Sequence, residues 1–257
     1  MVKRIWLLKN GALDLDKSIL VAGTGYGNCL RVSVYSTLLE MDQGYILIDT
    51  GLNPCGLTDP EGTWGDRAKL LIPVIESADD IRNRLAEVGV KPEEVTHIIT
   101  THMHWDHTGG NQFFKNATVV VQKAEYRFAH YPDHYLSASY MKNHFDFEQK
   151  YQLVEGDFHF CSGIDLLFTP GHTQGHQSVL ITMDDGRKYI IAGDAIYTYE
   201  NIERRLPSGN CWNGAEAMMS LQKLMTIAQL TNAEIIPSHN PDPDFFERMK
   251  ERLERGI

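Results

Sequence analysis

The stretch Thr101–Gly110, THMHWDHTGG, places three histidines and an aspartate within six positions of a chain that has eleven histidines in 257 residues. Core packing rarely needs such crowding. His102, His104, Asp106 and His107 form the pattern H-x-H-x-D-H. Neutral imidazole and carboxylate are ligands for zinc and similar divalent ions, and several must converge to compete with water. In an extended or turning loop alternate residues point the same way, so His102 and His104 share a direction. Asp106 and His107, past the turn, address a second position nearby. The two glycines of HTGGN permit a tight turn that brings backbone close to the site.

Outward from this cluster, EEVTHIITTH reads as a buried strand that delivers the loop at its C-terminal end. Before it, SADDIRNRLAEVGV predicts a helix, with Ser77 and Asp80 as a capping box and Ile81, Leu85 and Val88 as its apolar stripe. β-Branched, alternating runs predict strands near residues 4–8, 30–40, 44–49 and 117–122. The second half has a similar grammar: a strand ending in PGHT, a hairpin from HQSVLITM through DDG to KYIIAGDA, a helix over GAEAMMSLQKLMTIAQL, a strand ending in PSHN, and a closing amphipathic helix DFFERMKERLERG. The pattern is a mixed α/β chain of one domain over 1–257, in which two sheets pack face to face, helices cover the outside, and the polar loops gather at one rim. Regions 53–76 and 128–147 are less regular and are expected to be either lids or binding loops, or else plain surface loops or an oligomer contact.

Composition narrows the function. The net charge of −10 disfavours a nucleic-acid partner, which needs clustered Lys and Arg. No apolar run approaches the roughly 18 residues of a membrane span, and MVKRIWLLKN is too short in its apolar part for a secretory signal, so a cytoplasmic protein is expected. Cys29, Cys55, Cys161 and Cys211 are scattered, with no CxxC, and are expected to be free buried thiols.

His172 in PGHT, Asp194 in AGDA and His239 in PSHN each follow an apolar strand, at the rim where the first cluster sits. A single histidine in such a place is usually an ordinary hydrogen-bonded residue. The ordered set H-x-H-x-D-H, G-H-T, G-D and a late S-H, running with IDTG at 48–51 over nearly the whole chain, resembles the metallo-β-lactamase superfamily. The resemblance implies an αββα sandwich. It implies two divalent ions, zinc first, with cobalt, iron or manganese as alternatives. His102, His104 and His172 would hold one ion, Asp106, His107 and His239 the other, and Asp194 would bridge them. Asp49 and His176 would stand behind the ligands and orient them. His176 lies on an expected strand, where an H-x-x-x-H pair does not converge. His97 is expected to be a core histidine, and His130, His134, His144 and His159 loop or surface residues.

The segment GDAIYTYENIE resembles N-acyl-homoserine lactonases, quorum-quenching members of the superfamily. That likeness implies attack of a metal-bridging hydroxide on the lactone carbonyl, with Tyr197 as donor to the oxyanion and Asp106 as carrier of the proton. Trp105 and Tyr26 would contribute to the substrate pocket, and a homodimer with 53–76 in its contact is expected. A glyoxalase II-like thioesterase shares the ligands but usually adds a C-terminal helical region with basic residues, whereas here one short helix follows His239. A metal-binding protein without turnover is the other alternative, and the full seven-residue set argues against it.

Overall fold

The computed structural model describes residues 1–255. Twelve strands are described: β1 (Arg4–Asp16), β2 (Cys29–Glu40), β3 (Tyr45–Ile48), β4 (Ile72–Val74), β5 (Val95–Ile99), β6 (Thr118–Gln122), β7 (Lys150–Val154), β8 (Phe158–Cys161), β9 (Ile164–Phe168), β10 (Gln177–Thr182), β11 (Lys188–Ile191) and β12 (Glu234–Ile236). The α-helices are α1 (Lys17–Leu20), α2 (Pro60–Trp64), α3 (Arg67–Leu70), α4 (Ile81–Glu87), α5 (Trp105–Thr108), α6 (Lys123–His130), α7 (Tyr199–Arg204), α8 (Gly214–Thr231) and α9 (Phe245–Arg255).

The strands form a seven-stranded sheet, β4-β1-β2-β3-β5-β6-β7, and a five-stranded sheet, β12-β11-β10-β9-β8. Period-two alternation decides which face each residue covers. Ile46 and Ile48 of β3 and Ile99 of β5 point inward to a core shared with Ile164, Leu166, Val179, Ile181 and Ile191 of the second sheet. Leu47 and Ile98, one residue out of phase, point outward and pack under Ile81 and Leu85 of α4. On the opposite outer face, Leu221 and Leu224 of α8 cover Leu167, Ile190 and Ile235. These are the four layers of an αββα sandwich. β3, β5, β6 and β7 are parallel, so their C-terminal ends open on the same rim. β11 and β12 are parallel too and end in the loops of Asp194 and His239.

Several elements differ from the sequence expectations. β1 runs to Asp16 rather than stopping near residue 8, because a register shift between Lys9 and Ala12 absorbs Gly11 at φ 110°. The α4 helix is capped by Asp80, which accepts from the Arg82 N–H, whereas the capping box belongs to the preceding turn and joins Glu76 to Asp79. Ser77 takes no part in it. α6, β7 and β8 lie where no regular element was expected. The closing helix is described to Arg255, so the last residue of its expected span, Gly256, lies outside the described residues. All four cysteines are free, but Cys29 and Cys55 are exposed and Cys161 and Cys211 only half-buried, since they sit at a strand start, in loops and at a sheet edge rather than in the core. No helix among the described residues is long and apolar enough to cross a membrane.

Candidate metal centre

Seven side chains meet at the rim, and four of the five imidazoles are aimed by a partner behind them. Asp49 is the first such partner. It follows β3 in a left-handed conformation, φ 57°, uncommon for a residue with a side chain. Its carboxylate accepts from the Thr101 N–H at 2.8 Å and the Thr101 hydroxyl at 2.7 Å. It also accepts from His107 Nδ1 at 2.8 Å. In the neutral ring the proton on Nδ1 leaves His107 Nε2 a bare acceptor, turned inward. His172 Nδ1 donates to the Asn210 carbonyl at 2.7 Å and His239 Nδ1 to the Ser33 carbonyl at 3.1 Å, with the same result. The Thr101 hydroxyl proton is engaged by Asp49, so its oxygen accepts from His102 Nδ1 at 3.1 Å, and His102 Nε2 is bare as well.

Bare nitrogens then face one another. His102 Nε2 and His172 Nε2 are 3.2 Å apart, and His104 Nδ1 lies 3.1 Å from the first and 3.0 Å from the second. Burial holds the protonation of His102, His104 and His172 below the usual imidazole range; at His104 the charges of His172 and Arg67 add to it. Two buried lone pairs at that distance repel unless a cation lies between them. Tetrahedral zinc with nitrogen ligands has edges of about 3.3 Å. The donor set therefore fits a divalent ion.

A second group sits beside the first. Asp106 Oδ2 is 3.7 Å from both His107 Nε2 and His239 Nε2. Asp194 spans the two groups: Oδ2 lies 3.3 Å from His172 Nε2 and 3.7 Å from His102 Nε2, while Oδ1 lies 3.3 Å from both His107 Nε2 and His239 Nε2. Three interlocking clusters capable of holding a metal result: His102, His104 and His172; His102, His107 and Asp194; Asp106, His107 and His239. Burial opposes charge on His107 and His239, yet the adjoining carboxylates, Asp194 first, raise both above the ordinary imidazole range. Buried negative charge at this end draws in positive charge.

Behind the ligands, His176 is fully buried, its Nδ1 2.9 Å from the Thr169 hydroxyl and its ring centroid 5.2 Å from that of His102. Gly193, at φ 55°, makes room for it, because a Cβ there would stand 2.6 Å from His176 Nε2. Tyr197 is buried with its ring centroid 5.2 Å from His239 and 5.7 Å from His172. Burial and the Asp194 carboxylate push its hydroxyl well above the usual phenol range, which keeps it a proton donor. Trp105 is buried edge-on against Trp64, centroids 5.7 Å apart. A narrow cavity at the centre is lined by Tyr197, Trp105 and Arg67 together with Leu13, Leu15 and Ile19. Tyr26 is not part of this wall; it is 75% exposed, in the loop between α1 and β2.

The remaining histidines depart from expectation in two places. His144 is buried rather than at the surface, and burial pushes it down to about 4. His97 is only half-buried at the edge of the core, against Phe160. Part of region 128–147 packs against the site, with the Tyr140 ring edge-on to His104 at 4.9 Å, whereas Tyr131 and Tyr135 of the same region are exposed.

One functional residue is missing from the sequence reading. Glu125, on α6, has no exposed surface. Its Oε1 accepts from the Met103 N–H at 2.8 Å and from the Tyr140 hydroxyl at 3.4 Å. Its Oε2 accepts from the Thr173 hydroxyl at 2.6 Å and the Gly175 N–H at 3.2 Å. Met103 lies between His102 and His104, and Thr173 follows His172. One carboxylate thus ties together the two loops that supply the first group of ligands. Gly175 permits this approach, since a Cβ there would meet the Glu125 backbone nitrogen at 2.1 Å. A glutamate on a short helix gives no sign of this role in the sequence; only the apolar period around it, with Phe128 and Ala129 buried on the same helix, hints at the buried face.

An αββα sandwich carrying this array at the open ends of its strands is the scaffold of a metal-dependent hydrolase. The chain belongs to the metallo-beta-lactamase superfamily, whose sequence profile matches residues 30–239. It is 33% identical over 242 residues to an N-acyl homoserine lactonase of Bacillus cereus, covering 93% of this chain and 94% of that protein. It is 31% identical over 245 residues to the N-acyl homoserine lactonase AttM of Rhizobium johnstonii, covering 93% of each. Among solved structures it is similar to a Bacillus thuringiensis AiiA mutant with N-decanoyl-L-homoserine bound at the active site, with a TM-score of 0.86, 31% identity, and coverage of 98% of this chain and 96% of that one.

Proposed function

We propose that this protein opens the ring of N-acyl homoserine lactones by hydrolysis, giving N-acyl-homoserines. The observation that carries the reading is the pair of adjoining His/Asp groups, spanned by Asp194 and walled by Tyr197, in a chain similar to lactonases over nearly its whole length. His102, His104 and His172 would hold one divalent ion, Asp106, His107 and His239 a second, and Asp194 both; zinc suits the nitrogen-rich donor set. When bound, such a pair supplies Lewis acidity, polarising an ester carbonyl and lowering the pKa of coordinated water.

The chain's own groups do the rest. The Tyr197 hydroxyl, kept protonated, donates to the carbonyl oxygen as negative charge develops on it. Asp106, at the edge of the cavity, takes the proton released from water and returns it to the departing ring oxygen. Trp105 and the leucines of β1 exclude water from the acyl side. The catalytic unit is 1–257, and the four free thiols suit a reducing, cytoplasmic setting.

The test is a substrate panel by pH-stat: an N-acyl homoserine lactone, S-lactoylglutathione and a β-lactam. Preference for the lactone is expected; preference for the thioester would replace this reading with the thioesterase. Within the lactonase, Tyr197→Phe removes one oxyanion donor while keeping the ring. Loss of such a donor costs up to about 3 kcal/mol where nothing compensates. A cation shares this task, so a loss on the order of tenfold in kcat/KM is expected, with metal content unchanged. A parental rate in Tyr197→Phe would leave Tyr197 a packing residue.

The protein is further proposed to be a homodimer through 53–76. That segment carries Leu57, Leu70 and Ile72, exposed by 41%, 69% and 50%. Light scattering at micromolar concentration is expected to give twice the chain mass, and Leu70→Glu to shift it toward the monomer. A parental protein of monomer mass would remove the claim and leave the catalytic reading intact.

A further inference from the structure

Arg67 stands out among the residues around the cavity. It opens α3, in the irregular segment 53–76, and lines the same space as His104, Asp106 and Tyr197. Its Nε is buried and has no hydrogen-bond partner. It also has no ion pair among the described residues, although acidic residues outnumber basic ones by 34 to 24. Asp66, its neighbour in sequence, is paired with Lys69 instead. A guanidinium is a rigid fork of donors, and burying its Nε without an acceptor costs free energy. The Nε is kept there without a protein acceptor among the described residues, on a side chain that lines the cavity.

We propose that Arg67 is a specificity residue that binds the amide carbonyl oxygen of the N-acyl group of the lactone. The inference rests on the lactonase reading and refines its substrate class. The lining of the cavity favours that atom. Arg67 shares the wall with His104 and Asp106, so its acceptor lies close to the ring being opened. The amide carbonyl of an N-acyl homoserine lactone is joined to the ring through a single nitrogen and is the first acceptor beyond it. Leu13, Leu15, Ile19 and Leu71 line the same cavity and offer apolar surface, suited to the hydrocarbon of the acyl chain. A neutral acceptor beside a guanidinium is bound without loss of a counter-ion, which matches the lack of any carboxylate partner.

The experiment compares two lactones in two proteins. N-hexanoyl homoserine lactone has the amide; an alkyl γ-lactone of matched length has the ring and a chain but no amide. Each is read as kcat/KM, or as a competitive inhibition constant if turnover is too slow, for the parental enzyme and for Arg67→Met. On the acyl homoserine lactone, Arg67→Met is expected to lose on the order of tenfold, mainly in KM, since the lost contact exists in ground and transition states alike. On the alkyl lactone the two proteins are expected to agree within about twofold, and metal content and melting temperature to be unchanged. Arg67→Lys, which keeps a cation but not the fork, is expected to recover part of the loss. Equal losses on both lactones, or none on either, overturn the assignment. If Arg67→Met is poorly folded, Arg67→Lys and Arg67→Gln carry the same comparison. A parental enzyme that opens neither lactone defeats the lactonase reading itself, a result distinct from the other two.

Discussion

Asp194→Ala is expected to abolish ring opening and reduce bound metal from about two ions per chain to at most one. The reason lies in the two oxygens of that side chain. Oδ2 addresses His102 and His172, and Oδ1 addresses His107 and His239, all within 3.7 Å. No other carboxylate in the described residues spans both groups. Removing one partner of a buried charged set costs about 3–5 kcal/mol. At 1.36 kcal/mol per factor of ten, that is roughly 10²- to 10⁴-fold in affinity or rate. Elemental analysis of the purified variant, together with lactone turnover, measures both quantities. Asp194→Asn keeps the shape but loses the charge and is expected to fall between the two. Unaltered stoichiometry in both variants would sink the bridged arrangement.

Glu125→Ala is the second large effect, and it reaches the site from behind. The substitution leaves the Met103 and Gly175 N–H groups and the Thr173 hydroxyl without their acceptor in a region with no solvent. Each buried polar group left unsatisfied costs about 1–3 kcal/mol. Three of them cost about 3–5 kcal/mol after partial relaxation, enough to lower the melting temperature by roughly 10 °C in a domain of this size. Burial already raises the Glu125 carboxyl, while its four donors favour the ionised form. Glu125→Gln tests the positioning role apart from stability. It keeps the length but turns an NH₂ toward one pair of donors. Its metal affinity, read by chelator competition, is expected to fall 10- to 100-fold, as for other groups that orient ligands. A Glu125→Gln protein with parental affinity and an unaltered cobalt spectrum would reduce Glu125 to a packing role.

These two residues mark what the sequence could and could not tell. Asp194 was legible because ligand chemistry restricts residue type, and the spacing of H-x-H-x-D-H, G-H-T and G-D survives without knowledge of the packing. The sandwich was legible for a related reason: β3, β5 and β9 to β11 are short apolar strands bounded by clear turns. Glu125 was not legible, because a glutamate on a helix is ordinarily solvated and its four donors come from three other segments. Arg67 lies in a stretch without periodicity, so no pattern assigns it a face. β7 and β8, KYQLV and FHFC, lie at sheet edges where polar residues interrupt alternation. Tyr26, expected at the pocket, lies in a glycine-rich loop that turns it into solvent.

The rim is assembled from loops that follow β3, β5, β9, β11 and β12, so the side chains that aim and hold the cations span the chain from Asp49 to His239. An unfolded chain cannot present such a set, and closing so long a loop carries an entropic penalty that local structure does not repay. Occupancy of the centre is therefore linked to global folding: ions that bind only the native state deepen its well by RT ln(1 + [L]/Kd). Divalent ions held there would act as a clasp between the two halves of the chain, and the stability of the fold would rise with the free metal concentration.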